Sequence, residues 1–279
     1  MTTAHKSRVL DMTRGDPFRL VLQFSLPLFC SNLLQQVYNL TDTALAGHLL
    51  GSAALAEIGA TAALYGLIMN FAFGMNNGLA LTVSRCFGAG EREGIRRAVG
   101  WMVTLSAAVS LVLTTVSLLG RGALLQALQV PAEVWDGAAA YLTVILLGIP
   151  LTMLYNMEAA LLRAVGNSVT PLLFLLFSSV LNVGLDAAFM GPLGMGVRGA
   201  AVATVLAQGI SAVLGAVYLV RSYPELHFAP AHLKKSARRA VMNMFWAGMS
   251  MGLMSAIYNL GSVALQSSIN ALGSVYITA

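Results

Sequence analysis

Long apolar runs alternate with short polar or basic segments along most of the chain. Seven runs match or exceed the about 20 helical residues that cross the hydrocarbon core of a bilayer, and they cover residues 18–45, 55–83, 98–119, 138–162, 171–190, 199–220 and 241–269. Runs of this length without strict apolar–polar alternation favour helices, which satisfy their backbone hydrogen bonds internally, over barrel strands. The pattern predicts an all-α, polytopic membrane protein.

Composition supports this prediction. Of the 279 residues, 57% are hydrophobic and only 10% are charged, whereas soluble domains carry about 25% charged residues. The net charge of +5 does not indicate a nucleic-acid partner, because such a partner requires basic residues clustered on a soluble face.

Basic residues fall mainly in alternate loops. Of the sixteen Lys and Arg, fourteen belong to the N-terminal arm or follow the second, fourth and sixth runs, and only Arg121 and Arg198 lie in the other loops. Since Lys and Arg near helix ends are retained on the cytoplasmic side, we expect a cytoplasmic N terminus.

The seventh run repeats the first at an offset of 220 residues. The segment "QQVYNLTDTALAG" at 35–47 aligns with "SAIYNLGSVALQS" at 255–267. Two such copies that cross in the same direction are typical of transporters built from parallel repeats. We therefore expect a six-helix N-terminal bundle at 1–220, a basic cytoplasmic linker at 221–240, and at 241–279 the first helix of an incomplete second bundle. Doubling the offset suggests a complete chain of about 440 residues, so a non-functional fragment is one alternative.

Two acids lie well inside the apolar runs. At 1.5 Å per residue, Asp186 lies about 22 Å from the cytoplasmic start of its run, and Asp42 is also in the outer half. Asn182 shares a helix face with Asp186, and Thr204 lies about 9 Å in from the outer side.

These four residues predict a cation-coupling site. Desolvation favours the protonated carboxyl, and amide and hydroxyl oxygens can coordinate a small cation once the proton leaves. The site would hold H+, Na+ or a cationic solute. The alternative is hydrogen bonding between helices without a transport role. Glu57 and Glu158 lie nearer the ends of their runs, where either could reach the membrane interface, and we expect a structural or interfacial role for each.

Several ordered segments resemble the multidrug and toxic compound extrusion (MATE) family. They read "MTRGDPFRLVLQFSLPL", "LLQQVYNLTDTALAGHLLGSAALAEIGAT", "SRCFGAGEREGIRRA", "LLRAVGNSVTPL", "LNVGLDAAF" and "GVRGAAVATVLAQ". Asp42, Asn182, Asp186 and Thr204 occupy the positions of a cation site known in one branch of the family. Two positions depart from the pattern: "GNS" stands where an Asp usually follows the Gly, and Glu158 stands where a small or apolar residue is expected.

The resemblance implies a twelve-helix transporter that works by alternating access. It would be an antiporter of the bacterial cytoplasmic (inner) membrane that exports cationic amphiphilic drugs against proton or sodium entry. Such a protein is no enzyme, needs no cofactor beyond its coupling ion, and is expected to be monomeric at full length. Gln35, Tyr38, Asn39 and Met69 are candidates to line its substrate cavity.

Two other functions fit parts of the sequence. A lipid-linked precursor flippase shares the bundle architecture, but it would be expected to carry several cationic residues inside the membrane. The segment "GMSMG" at 248–252 formally matches a GxSxG hydrolase motif with Ser250 as nucleophile, but it lacks the strand–turn–helix context of that motif.

Overall fold

The chain folds into long helices that run back and forth beside one another. The computed structural model describes residues 15–227 and 238–271, with the side chains of the last helix described as far as residue 261. Within this part, the long helices are α1 (Pro17–Leu50), α2 (Ser52–Gly88), α3 (Arg92–Leu119), α5 (Trp135–Ala164), α6 (Val169–Met190), α7 (Val197–Ser222) and α8 (Arg238–Ala271). The short helix α4 (Arg121–Ala127) follows α3.

The prediction of an all-α membrane protein is confirmed. Seven helices of the described chain are long and apolar enough to span a membrane, and each predicted run lies within one of them. The helices extend past the runs because the apolar pattern marks the hydrocarbon core and not the polar turns beyond it. Residues 1–14 and 228–237, which carry much of the predicted basic arm and linker, lie outside the described residues.

Helix α2 lies at the centre of the packing. It contacts α3, α5 and most extensively α8, while α7 packs between α5 and α6. Helix α1 packs mainly on α6 and less on α2. Its side chains are largely exposed, and only Ala46 is fully buried.

Glycine pairs allow α2 and α8 to approach closely. A Cβ at Gly78 would stand 2.5 Å from the carbonyl oxygen of Ala247, and one at Gly252 would stand 3.0 Å from the ring of Phe71. Small residues four apart commonly mediate such close packing of membrane helices. The glycines of "GMSMG" therefore serve helix packing, and the side chain of Ser250 between them is exposed.

Asn76 joins three helices inside the bundle. Its side chain is fully buried, and its Oδ1 accepts a hydrogen bond of 2.9 Å from the Ser106 hydroxyl of α3. Its Nδ2 donates to the backbone carbonyl of Met153 in α5 at 3.3 Å. Because buried amides cost free energy unless they are paired, these bonds favour one arrangement of α2, α3 and α5.

The unusual "GNS" turn between α5 and α6 is held by its asparagine. Asn167 is fully buried; its Oδ1 accepts from the backbone N–H of Thr170 at 3.0 Å. Its Nδ2 donates to the Tyr223 hydroxyl at 2.9 Å. An aspartate could accept from this hydroxyl but could not donate to it, so the bond seen here is one that Asn makes.

Candidate functional site: a buried acid pair

The four residues predicted to form a cation site come from three neighbouring helices. Helix α6 lies against both α1 and α7, and it carries Asn182 and Asp186 one turn apart. Asp186 is 0% exposed, Asn182 1% and Thr204 of α7 5%, whereas Asp42 of α1 is half-buried. The structure thus brings the four side chains together.

The amide of Asn182 connects α6 to α7. Its Nδ2 donates to the Thr204 hydroxyl at 3.4 Å, and that hydroxyl donates to the Ala200 carbonyl at 3.1 Å. The Oδ1 of Asn182 is buried and receives no hydrogen bond from the described residues. An oriented carbonyl oxygen of this kind is available to a cation or to a water molecule.

The carboxyl groups of Asp42 and Asp186 lie close enough to interact with each other. Among the described residues, no donor reaches the buried Oδ1 of Asp42 or either oxygen of Asp186. Two carboxyl groups can bond to each other only when one of them carries a proton, because an ionised carboxylate only accepts. A proton or another cation between these oxygens would satisfy the pair.

The oxygens present suit a hard monovalent cation as well as a proton. Carboxylate, amide and hydroxyl oxygens are ligands of hard cations, and the cluster supplies all three through Asp186, Asn182 and Thr204. The described residues contain no group of three His, Cys, Asp or Glu side chains that would hold a metal ion.

Polar residues that the sequence reasoning overlooked surround the acid pair. Tyr141 is buried and lies within electrostatic range of both acids. Tyr65 of α2 is within electrostatic range of Asp42 and lies close to Gln208 of α7. The sequence could have indicated Gln208, because it follows Thr204 by one helical turn and so lies on the same face of α7.

The four candidates for the substrate cavity do not all reach this cluster. Tyr38 is half-buried, and its hydroxyl lies close to Thr204. Gln35 and Asn39 are exposed on α1, where the Nε2 of Gln35 donates to the Oδ1 of Asn39 at 3.4 Å. Met69 is half-buried on α2.

Of the two roles expected for Glu158, structural or interfacial, the structure excludes the interfacial one. Its side chain is only 4% exposed because it points between α5 and α7, towards Gly215. A Cβ at Gly215 would collide with the Oε2 of Glu158. The missing side chain at Gly215 thus makes room for the carboxyl.

Comparisons with known proteins agree with this architecture. The sequence model of the MatE family matches residues 27–188. The probable multidrug resistance protein YpnP of Bacillus subtilis is 28% identical over 266 residues, covering 95% of this chain and 59% of the relative. The probable multidrug resistance protein NorM of Thermotoga maritima is 29% identical over 196 residues, covering 69% and 42% respectively.

Solved structures show the same fold. A MATE structure in the straight conformation matches with a TM-score of 0.84 at 26% identity, covering 95% of this chain and 58% of that one. A MOP superfamily transporter from Pyrococcus furiosus matches with a TM-score of 0.83 at 25% identity, covering 95% and 57%. The chain thus spans less than two thirds of the length of these relatives. Since the family model matches more than half of its residues, the chain belongs to the MatE family of multidrug and toxic compound extrusion transporters.

Proposed function

We propose that the chain is the cation-coupling part of an antiporter that exports cationic amphiphilic compounds by alternating access. The observation that carries the proposal is the pair of Asp42 and Asp186: the Oδ1 of Asp42 and both carboxyl oxygens of Asp186 are buried without a hydrogen-bond donor among the described residues. A coupling ion, H+ or Na+, binds between the acids with help from Asn182 and Thr204. Export follows because the ion and a cationic substrate compete for the same negative charge.

The proposal extends to the arrangement in the membrane. Residues 1–220 form the first bundle, 221–240 form a cytoplasmic linker, and 241–279 begin a second bundle. The N terminus lies in the cytoplasm, the protein resides in the bacterial inner membrane, and the two-bundle protein acts as a monomer. Relatives named as multidrug resistance proteins support a drug-like substrate class, and the two acids suit a cationic one. Tyr38 lies beside the ion site in the cavity wall, and Gln35, Asn39 and Met69 lie further along it.

Drug efflux from cells expressing a two-bundle protein that contains this chain tests the proposal. Ethidium, a planar cationic amphiphile, serves as the probe, and proton and sodium gradients are imposed separately. Asp186→Asn keeps the shape of the side chain but removes its charge. Glu93→Gln is the matched control, because Glu93 is an exposed acid in the first turn of α3.

We expect Asp186→Asn to lower efflux by about 5-fold to 150-fold, the range that a coupling free energy of about 1–3 kcal/mol produces. The control should export like the wild type. The gradient that drives wild-type efflux identifies the coupling ion. Unchanged efflux in Asp186→Asn would show that the acid pair does not couple ion binding to export.

A further inference from the structure

A second buried acid lies in the first bundle, away from the acid pair. Glu158 of α5 is 4% exposed and borders a small cavity of about 10 Å³. That volume is at the lower limit of the space one water molecule needs. The cavity lies among α5, α6 and α7, because Tyr155, Pro171 and Ser211 also line it.

An unpaired hydroxyl shares this cavity with the carboxyl. Ser211 of α7 is 1% exposed, and its Oγ has no hydrogen-bond partner among the described residues. Gly215, one turn further along α7, leaves the space that the Oε2 of Glu158 occupies. The carboxyl is therefore held against α7 with one buried hydroxyl available to it, directly or through a single water molecule.

Among the described residues, no cationic side chain pairs with the carboxyl of Glu158. On its own helix, Tyr155 and Arg163 are the neighbouring ionisable groups. The guanidinium of Arg163 instead donates to the Oδ1 of Asn77 at 3.0 Å and stacks 5.5 Å above the ring centre of Phe73; both residues belong to α2.

The cavity walls formed by the other helices are uncharged. Pro171 and Phe174 of α6 and Ser211 of α7 line it, and Tyr218 of α7 stands edge-on to Phe174 at 5.9 Å. An ionised carboxylate is costly in such a place, and proton binding relieves that cost.

The two acid sites lie at different depths. Glu158 is about 9 Å from the C-terminal end of α5, and Asp186 is about 25 Å from the N-terminal start of α6. A short turn joins those two ends, so Glu158 lies about 16 Å nearer to that side of the bundle.

We propose that Glu158, Ser211 and the space at Gly215 form a second proton-binding site, on the side of the bundle opposite to the acid pair. The carboxyl carries the proton, and the Ser211 hydroxyl or a water molecule accepts a hydrogen bond from it. The proton exchanges with water at the α5–α6 end. If the chain acts as the proposed antiporter, this site holds protons on their way to the cytoplasm.

Infrared difference spectroscopy of the purified protein in lipid nanodiscs tests this site without measuring transport. A protonated carboxyl has a C=O stretching band that ionisation removes and that deuterium oxide shifts when the proton exchanges. We expect one such band to disappear in Glu158→Gln and to persist in Asp186→Asn and in the Glu93→Gln control. Raising the pH and replacing water by deuterium oxide should, respectively, remove and shift the band.

A second variant keeps the acid and tests its surroundings. Ser211→Ala removes the hydroxyl, so the Glu158 band should remain but move to higher frequency because the carboxyl loses a hydrogen-bond partner. A spectrum that Glu158→Gln leaves unchanged would overturn the proposal, as would a band that does not respond to deuterium oxide. Neither outcome depends on the efflux of Asp186→Asn, so failure of this site and failure of the proposed function can be told apart.

Discussion

The substitution Asp186→Asn should stabilise the protein at alkaline pH while it weakens coupling. With both acids ionised, two unit charges about 4 Å apart repel by about 4 kcal/mol at an effective dielectric constant of about 20. Unpaired buried oxygens add about 1–3 kcal/mol, and three such oxygens belong to Asp42 and Asp186. An amide at position 186 removes one charge and donates a hydrogen bond to the remaining carboxyl.

Thermal unfolding in detergent at acidic and alkaline pH measures this effect. Each kcal/mol corresponds to about 2–4 °C in Tm for chains of about this size, so a gain of several degrees is expected at alkaline pH. At acidic pH the gain should shrink, because a proton between the acids of the wild type already supplies the missing donor. The exposed control Glu93→Gln should leave Tm nearly unchanged at both pH values.

A lower Tm for Asp186→Asn at every pH would refute this reasoning. It would mean that the Asp186 carboxylate is paired with a donor in the folded protein. The same measurement on Asp42→Asn should give the same sign, since that substitution also leaves one acid and one amide.

Two further substitutions test the packing of the bundle. Gly78→Val should lower the free energy of unfolding in SDS by about 1–3 kcal/mol through overpacking, because its Cβ would meet the carbonyl oxygen of Ala247 at 2.5 Å. Gly59→Val is the control, since nothing lies within 4 Å of a Cβ at that position. Equal losses in the two variants would contradict close packing of α2 against α8. Asn76→Ala should lower the free energy of unfolding by about 1–3 kcal/mol in the same assay, because it leaves the buried Ser106 hydroxyl without its acceptor. A change near zero would show that this hydrogen bond adds nothing to stability.

Much of the fold could be predicted from the sequence because hydrophobic length and helical rise are regular. Runs of apolar residues located all seven spans. Counting residues from the helix ends placed Asp42, Asp186 and Thr204 at one level, and the structure brings them together. Such a count works because the rise per residue is nearly constant along each helix.

The position of a residue along one helix does not show where the neighbouring helix leaves space for its side chain. Glu158 lies near a helix end, from which its side chain could reach the interface, yet it is buried because Gly215 lies opposite on α7. The same limit hid Tyr65 and Gln208, whose interaction links α2 to α7. Contacts of this kind depend on the rotation of both helices about their axes, which the apolar pattern alone did not fix.

The close packing of α2 against α8 is another contact that the sequence did not predict. "GMNNG" at 74–78 and "GMSMG" at 248–252 each carry two glycines four residues apart. Only the structure shows that both pairs lie in one contact. Motif reading alone linked the second segment to a serine nucleophile, whereas Ser250 is exposed away from that contact.

Proton release on substrate binding tests the central claim most directly. Purified protein in weakly buffered detergent solution is mixed with ethidium, and a pH-sensitive dye records the protons released. If the Asp42–Asp186 pair binds protons and substrate in competition, the wild type releases protons, Glu93→Gln releases as many, and Asp186→Asn releases almost none. Equal proton release from Asp186→Asn and the wild type would contradict the account.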